Sequence, residues 1–190
     1  MSIEEAAHTV RRSDSEPTPD AIDRILEVAR SFDGLMSLTT ALGESPRPWS
    51  ARLITLAAIR MARADSATTV QLSPMAFDLL KIVGRIDDWP ASAGCLDLVK
   101  LLVEDQGLEP RDGADRLSLL DLLWRSLAAE HPNARSAAVH TLEAIYDFGD
   151  LARLLGDDGV REMRHRVHKA RSEAGGALAE DLASAERLLP

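Results

Sequence analysis

Apolar side chains recur every three to four residues along most of the chain, which is the spacing of an amphipathic α-helix. The pattern is clearest over residues 117–171, where an apolar helical run ends at a turn and a second helix opens. That second helix opens with Ala134-Arg135, and a later one opens with Val160-Arg161. The pattern predicts pairs of helices joined by short turns, with no β-sheet.

Similar stripes lie on both sides of this stretch. Hydroxyl side chains cap helix N-termini, and they predict four further helix starts, at Thr18, Ser50, Ser73 and Ser92. Residues 177–189 predict a last helix that covers the end of the preceding stack. Residues 1–17 are polar and unpatterned, so we expect them to be disordered and residues 18–190 to form one domain.

The openings of the second helices recur at a nearly constant interval. Ser50, Ser92 and Asn133 follow one another at almost equal steps, whereas the step from Asn133 to Gly159 is much shorter. Large aliphatic residues follow three of these openings at a fixed distance, whereas a histidine follows the last; the four residues are Ile59, Leu101, Leu142 and His168.

This organisation resembles the HEAT repeat, a unit of two helices and about 40–47 residues, a length that the two longer steps match. The resemblance implies an all-α fold, a short right-handed α-solenoid of HEAT-like helix pairs. An irregular helical bundle is the alternative. In HEAT-like folds an arginine near the start of the second helix commonly bonds an acid of the preceding turn or the next repeat. Arg52, Arg135 and Arg161 occupy that place here, so we expect them to be structural.

The amino-acid composition of the chain limits the classes of partner that it could bind. The 190 residues carry a net charge of −9, which favours a basic partner surface over nucleic acid. The single Cys95 cannot form a disulfide within the chain. Charged residues interrupt every apolar stretch, and residues 1–17 lack the apolar core of a signal peptide. We therefore expect a cytoplasmic protein, monomeric or homodimeric, without a membrane span.

The sequence contains little that predicts catalysis. A phosphate-binding glycine loop, a nucleophile elbow and a zinc-protease motif are all missing. Glu162 and His165 share a helix face at a spacing used in di-metal sites, but such sites need four to six convergent ligands. Cys95, which follows Gly94 in an apolar run, is expected to be a core residue. We expect no enzyme activity, no cofactor and no metal.

The resemblance implies that the second helices line a concave face that binds another macromolecule. The outward side chains of those helices are the predicted contacts: Arg60, Lys100, His140, Glu143, Arg166 and Lys169. Trp49 and Trp89 lie beside prolines between helices. We expect both indoles to pack between repeats, and the alternative is that they project as anchors for a partner.

The leading functional hypothesis is a small cytosolic adaptor or regulator that binds one protein. A more specific version is a bacterial immunity protein or antitoxin that captures a basic toxin. The alternative is a nucleic-acid-binding protein that uses residues 160–171, where five basic residues accompany one acid.

Overall fold

The computed structural model describes residues 1–64, 69–148 and 151–190. Within these ranges the chain forms eleven α-helices and no β-strand, so the predicted all-α class is confirmed. The helices are α1 (Ile3–Arg12), α2 (Pro19–Val28), α3 (Phe32–Glu44), α4 (Pro48–Ala64), α5 (Thr69–Val83), α6 (Trp89–Glu104), α7 (Gly113–Leu127), α8 (Pro132–Phe148), α9 (Leu151–Leu155), α10 (Asp157–Glu173) and α11 (Gly176–Leu188). None of the helices described is long and apolar enough to cross a lipid bilayer.

The helices pack in two layers. In one layer α1, α3, α5, α7 and α10 contact each other in that order, and in the other α2 contacts α4, α4 contacts α6, α6 contacts α8 and α8 contacts α11. Consecutive helices of the chain also pair across the layers, from α1 with α2 to α10 with α11. The short α9 contacts α7 and α10. Each pair therefore rests on the pair before it.

One continuous core lies between the layers, because every long helix buries an apolar stripe. Two of the predicted anchors confirm the assigned register: Leu142 is fully buried and Ile59 is buried. Leu101 is only partly buried, and His168, which departs from the aliphatic pattern of the anchors, is exposed. At the end of the core, Leu182, Ala185 and Leu189 are buried beneath α8 and α10. The predicted docking of the last helix is confirmed.

The N-terminal segment is ordered where we expected disorder. Ser2 and Glu5 form a capping box, in which each side chain accepts a hydrogen bond from the backbone of the other residue. The stripe of Ala6, Ala7 and Val10 is buried, and α1 packs on α3. The expectation failed because small apolar residues among many charges carry little apolar signal. Their burial depends on the neighbouring helix.

Three of the predicted helix starts are also corrected. Ser50, Ser73 and Ser92 lie inside α4, α5 and α6, although hydroxyls favour caps. The carboxylate of Asp88 caps α6 instead, accepting a hydrogen bond from the Ala91 N–H at 2.9 Å. Prolines fit the first turn of a helix, where the missing N–H would have no partner. The chain therefore enters α4 and α6 at Pro48 and Trp89, before Ser50 and Ser92, whereas Pro74 lies inside α5, which begins at Thr69.

Candidate binding surfaces

Two arginines link neighbouring helices of one layer. Arg52 of α4 donates to both oxygens of the Asp88 carboxylate, from Nε to Oδ2 at 2.9 Å and from Nη2 to Oδ1. The hydrogen bonds from Arg52 lower the pKa of Asp88 despite partial burial. Arg135 of α8 bonds Asp181 of α11 at 2.6 Å and the backbone carbonyl of Glu130 at 2.7 Å. Both arginines have the structural role that the sequence predicts.

The helices α4, α6 and α8 present a shared charged face. Partial burial raises the pKa of Asp97 on α6, and the nearby charges of Lys100, Arg63 and His140 lower it in part. The Asp97 side chain is nevertheless exposed at the surface. The charges of Lys100 on α6 and His140 on α8 therefore act on the same acid.

The six predicted contact residues do not form one surface. Arg60, Lys100, His140 and Glu143 belong to the layer of α4, α6 and α8. The other two residues belong to α10, which lies in the opposite layer and packs on α7; they are Arg166 and Lys169. The cause is the short α9, because a helix of little more than one turn cannot fill a first-helix position. The helix α10 fills that position, and α11 becomes its partner.

The basic residues of α10 are largely paired with acids. Arg161 bonds Asp158, Arg166 bonds Glu162 at 2.8 Å, and Arg171 bonds Glu186. The Glu186 carboxylate also meets His168 at 2.8 Å, and hydrogen bonds from His168 and Arg171 lower its pKa. Three of the five basic residues therefore have acidic partners, which reduces the charge that this helix offers to a polyanion.

Of the residues considered for metal binding or catalysis, Glu162 is bonded to an arginine, Cys95 is buried and His165 is exposed. Glu162 accepts a hydrogen bond from Arg166, and it does not converge with further ligands. Among the described residues, no group of three or more His, Cys, Asp or Glu side chains could hold a metal ion. Burial raises the pKa of the Cys95 thiol to about 12, so this sulfur is not a ready nucleophile at neutral pH.

A groove of about 870 Å³ lies where the α5–α6 connection meets the α7–α8 connection. At this groove the Trp89 indole stacks on the His131 imidazole, with ring centroids 3.7 Å apart and planes 9° from parallel. Trp89 remains 41% exposed, and the half-buried Trp124 lines the same groove. Trp49, by contrast, is buried and donates a hydrogen bond from its Nε1 to the Ser13 carbonyl at 3.2 Å. The packing role fits Trp49, and the projecting alternative fits Trp89.

The cationic groups of the groove are already bound within the protein. Arg52 is held by Asp88, and Arg125 donates to the backbone carbonyls of Gly84 and Ile86. Two further lining residues, Asp87 and Glu130, expose acidic side chains to solvent. The groove therefore combines aromatic surface with unneutralised acid. The hydroxyl of Ser126, another lining residue, is buried without a hydrogen-bond partner among the described atoms.

A repeated triplet places these groups together, and it is the sequence signal that would have identified the groove. Asp88-Trp89-Pro90 and Glu130-His131-Pro132 each consist of an acid, an aromatic residue and a proline. Each triplet spans the start of a helix, α6 in one case and α8 in the other. Pro48, at the start of α4, precedes Pro90 by the same interval that separates Pro90 from Pro132. Trp89 and His131 stack because equivalent positions of successive helix pairs are neighbours.

Comparison of the chain with protein-family models, with curated proteins and with solved structures found no match.

Proposed function

We propose that the protein is a binding module without enzyme activity, a short right-handed α-solenoid of HEAT-like helix pairs that binds a partner protein at its loop edge. The observation that carries this proposal is the exposed stack of Trp89 on His131 at the 870 Å³ groove. Tryptophan is among the residue types most enriched in the side chains that dominate binding energy at protein interfaces. A large exposed indole beside a groove is therefore a candidate anchor.

Two features support the repeat architecture. The two layers stack pair upon pair, as in a solenoid. The starts of α4, α6 and α8 carry prolines at equal intervals along the sequence. Repeat proteins of this kind use concave faces and loop ridges to bind other macromolecules.

An adaptor or regulator in the cytosol is the role we propose for this module. The net charge of −9 suits a basic partner, and capture of a basic toxin by an immunity protein or antitoxin is the specific version. Nucleic-acid binding through α10 is less well supported, because Arg161, Arg166 and Arg171 already pair with acids.

The proposal is tested by capture of partners from the cells of origin with tagged protein. Trp89→Ala removes the anchor, and Tyr146→Ala removes another exposed aromatic side chain, 55% exposed, that does not line the groove. We expect one stoichiometric protein with the wild type and with Tyr146→Ala, and at least tenfold less of it with Trp89→Ala. Circular dichroism confirms that both variants are folded. Equal recovery with both variants would contradict the proposal.

A further inference from the structure

We infer that the groove beside Trp89 binds an arginine-rich segment of the partner protein. This inference rests on the proposed function, because it names the chemistry of the partner at the same site. The inference depends on which charged side chains of the groove are paired within the protein and which are not. It also depends on the aromatic side chains that line the same groove.

The groove has exposed carboxylates, while its arginines already make hydrogen bonds within the protein. The Arg52 guanidinium donates from Nε and Nη2 to the two oxygens of Asp88, and the Arg125 guanidinium donates to two backbone carbonyls. The carboxylates of Asp87 and Glu130 are exposed and make no salt bridge within the described part of the chain. Three acids, Asp87, Asp88 and Glu130, and two arginines line the groove, so its net charge is −1, and the two carboxylates that are not paired attract cations.

The aromatic groups favour arginine over a simple cation. A guanidinium is planar, stacks on the face of an indole and binds carboxylates through two parallel N–H groups. Trp89 supplies an indole that is 41% exposed, and Trp124 supplies a second indole in the same groove. The acids Asp87 and Glu130 belong to the two connections that border the groove. A segment with several arginines can contact indole and carboxylate together.

The size of the groove argues for a peptide segment. A volume of about 870 Å³ exceeds that of one arginine side chain and falls within the range of sites that hold several residues or a drug-sized molecule. The net charge of −9 adds a long-range attraction that speeds the encounter with a basic partner. Both features point to a polycationic stretch of chain.

The test measures fluorescence anisotropy of a labelled peptide in which arginine and glycine alternate. In the control peptide citrulline replaces every arginine, which keeps the shape and removes the charge. The protein variant Asp87→Asn/Glu130→Gln removes both groove acids. Its matched control, Asp20→Asn/Glu180→Gln, removes the same charge from two exposed acids elsewhere.

We expect the arginine peptide to bind the wild type and the matched control equally, and the groove variant about tenfold more weakly, because two rim charges are lost. We also expect at least tenfold weaker binding of the citrulline peptide, and weaker binding of the arginine peptide at higher salt. Equal loss in both double variants would show that net charge alone attracts the peptide, and would overturn the inference.

Two other outcomes distinguish failure of this inference from failure of the proposed function on which it rests. If the citrulline peptide binds as tightly as the arginine peptide, the groove binds peptides without selecting charge, so the inference fails and the proposed function stands. If a labelled single-stranded oligonucleotide binds and the arginine peptide does not, the inference fails as well. The proposed function itself fails only in the capture experiment, when Trp89→Ala retains the partner.

Discussion

Asp115 of α7 is a buried acid that is paired with two cations. Its side chain is fully buried and bonds the Lys81 ammonium at 2.6 Å and the Arg111 Nε at 2.8 Å. Burial alone would raise the pKa of this carboxyl, but the hydrogen bonds from Arg111 and Lys81 outweigh it and hold the pKa well below its usual range. The Arg111 Nη2 donates to Asp78 at 2.7 Å as well as to Asp115 at 3.0 Å, so this charged cluster links α5 to α7.

The first prediction concerns the acid stability that this cluster confers. Because the pKa of Asp115 is lowered on folding from about 3.9, its stabilisation is present above about pH 4 and is lost as the pH falls further. Asp115→Asn should cost about 3 kcal/mol at pH 7, because it leaves two cations without their charge partner. Melting temperatures from pH 7 to pH 3 should therefore fall more steeply for the wild type than for Asp115→Asn. Parallel curves would contradict this assignment, and Asp158→Asn, at an exposed ion pair, is the control.

The second prediction compares two buried serines. The Ser73 hydroxyl accepts a hydrogen bond from the Glu109 N–H at 2.9 Å and donates to the Glu109 carbonyl at 3.2 Å, whereas the Ser126 hydroxyl has no described partner. Ser73→Ala should therefore lower the free energy of unfolding by about 1–2 kcal/mol, and Ser126→Ala should leave it unchanged or raise it. Urea unfolding measures both. The reverse order would refute the hydrogen-bond pattern.

At the scale of the element, α11 closes the C-terminal side of the stack. Its Leu182 and Ala185 are buried, Asp181 bonds Arg135 of α8, and Glu186 bonds Arg171 of α10. The helix therefore covers apolar surface and neutralises charge on two neighbours at once. An uncovered end would expose the apolar flank of the last pair to solvent.

The third prediction concerns removal of this cover. Deletion of residues 177–190 should lower the melting temperature and cause aggregation, because α8 and α10 lose their apolar contacts. The milder Leu182→Ala should cost about 2–5 kcal/mol as a core truncation, without removing the helix. Light scattering and thermal unfolding follow both variants. A truncated protein that stays monomeric with an unchanged melting temperature would show that α11 is not a cover.

The elements differ in how far the sequence reveals them. Residues 177–189 carry a leucine stripe strong enough to predict both a helix and its docking, and the Arg52–Asp88 bond follows from the position of the arginine. The layer of α10 could not be predicted, because it depends on whether α9 is long enough to fill a place in the stack. The Trp89–His131 stack was missed for a related reason. The hydrophobic pattern of one segment reveals a helix. A contact between successive helix pairs becomes visible only when the equivalent positions of the two pairs are aligned.

At the scale of the whole molecule, the core is one cluster that runs through all the long helices. Leu142 lies fully buried on α8, a helix that contacts α6, α7 and α11. A disturbance there reaches both layers and the closing helix together. Loss of packing at α8 therefore cannot remain local.

The fourth prediction is that Leu142→Asp unfolds the protein or its C-terminal half. An unpaired buried charge costs several kcal/mol, comparable to the whole stability of a domain. The matched control is His140→Asp, which introduces the same residue at an exposed position of the same helix. Circular dichroism should show lost helix for the first variant and native helix for the second. An unchanged melting temperature for Leu142→Asp would refute the position of α8 in the core.

The ring stack at the groove also has a mechanical consequence. Trp89 and His131 stand on consecutive connections, and their 3.7 Å separation leaves no room for a solvent layer between the rings. Any bending that spreads the two connections must separate the rings, and any bending that compresses them is stopped by the contact. The stack thus acts as a spacer that sets the resting width of the groove. A ligand that wedges the groove wider would do so against the stack, and the fluorescence of Trp89 would report the change.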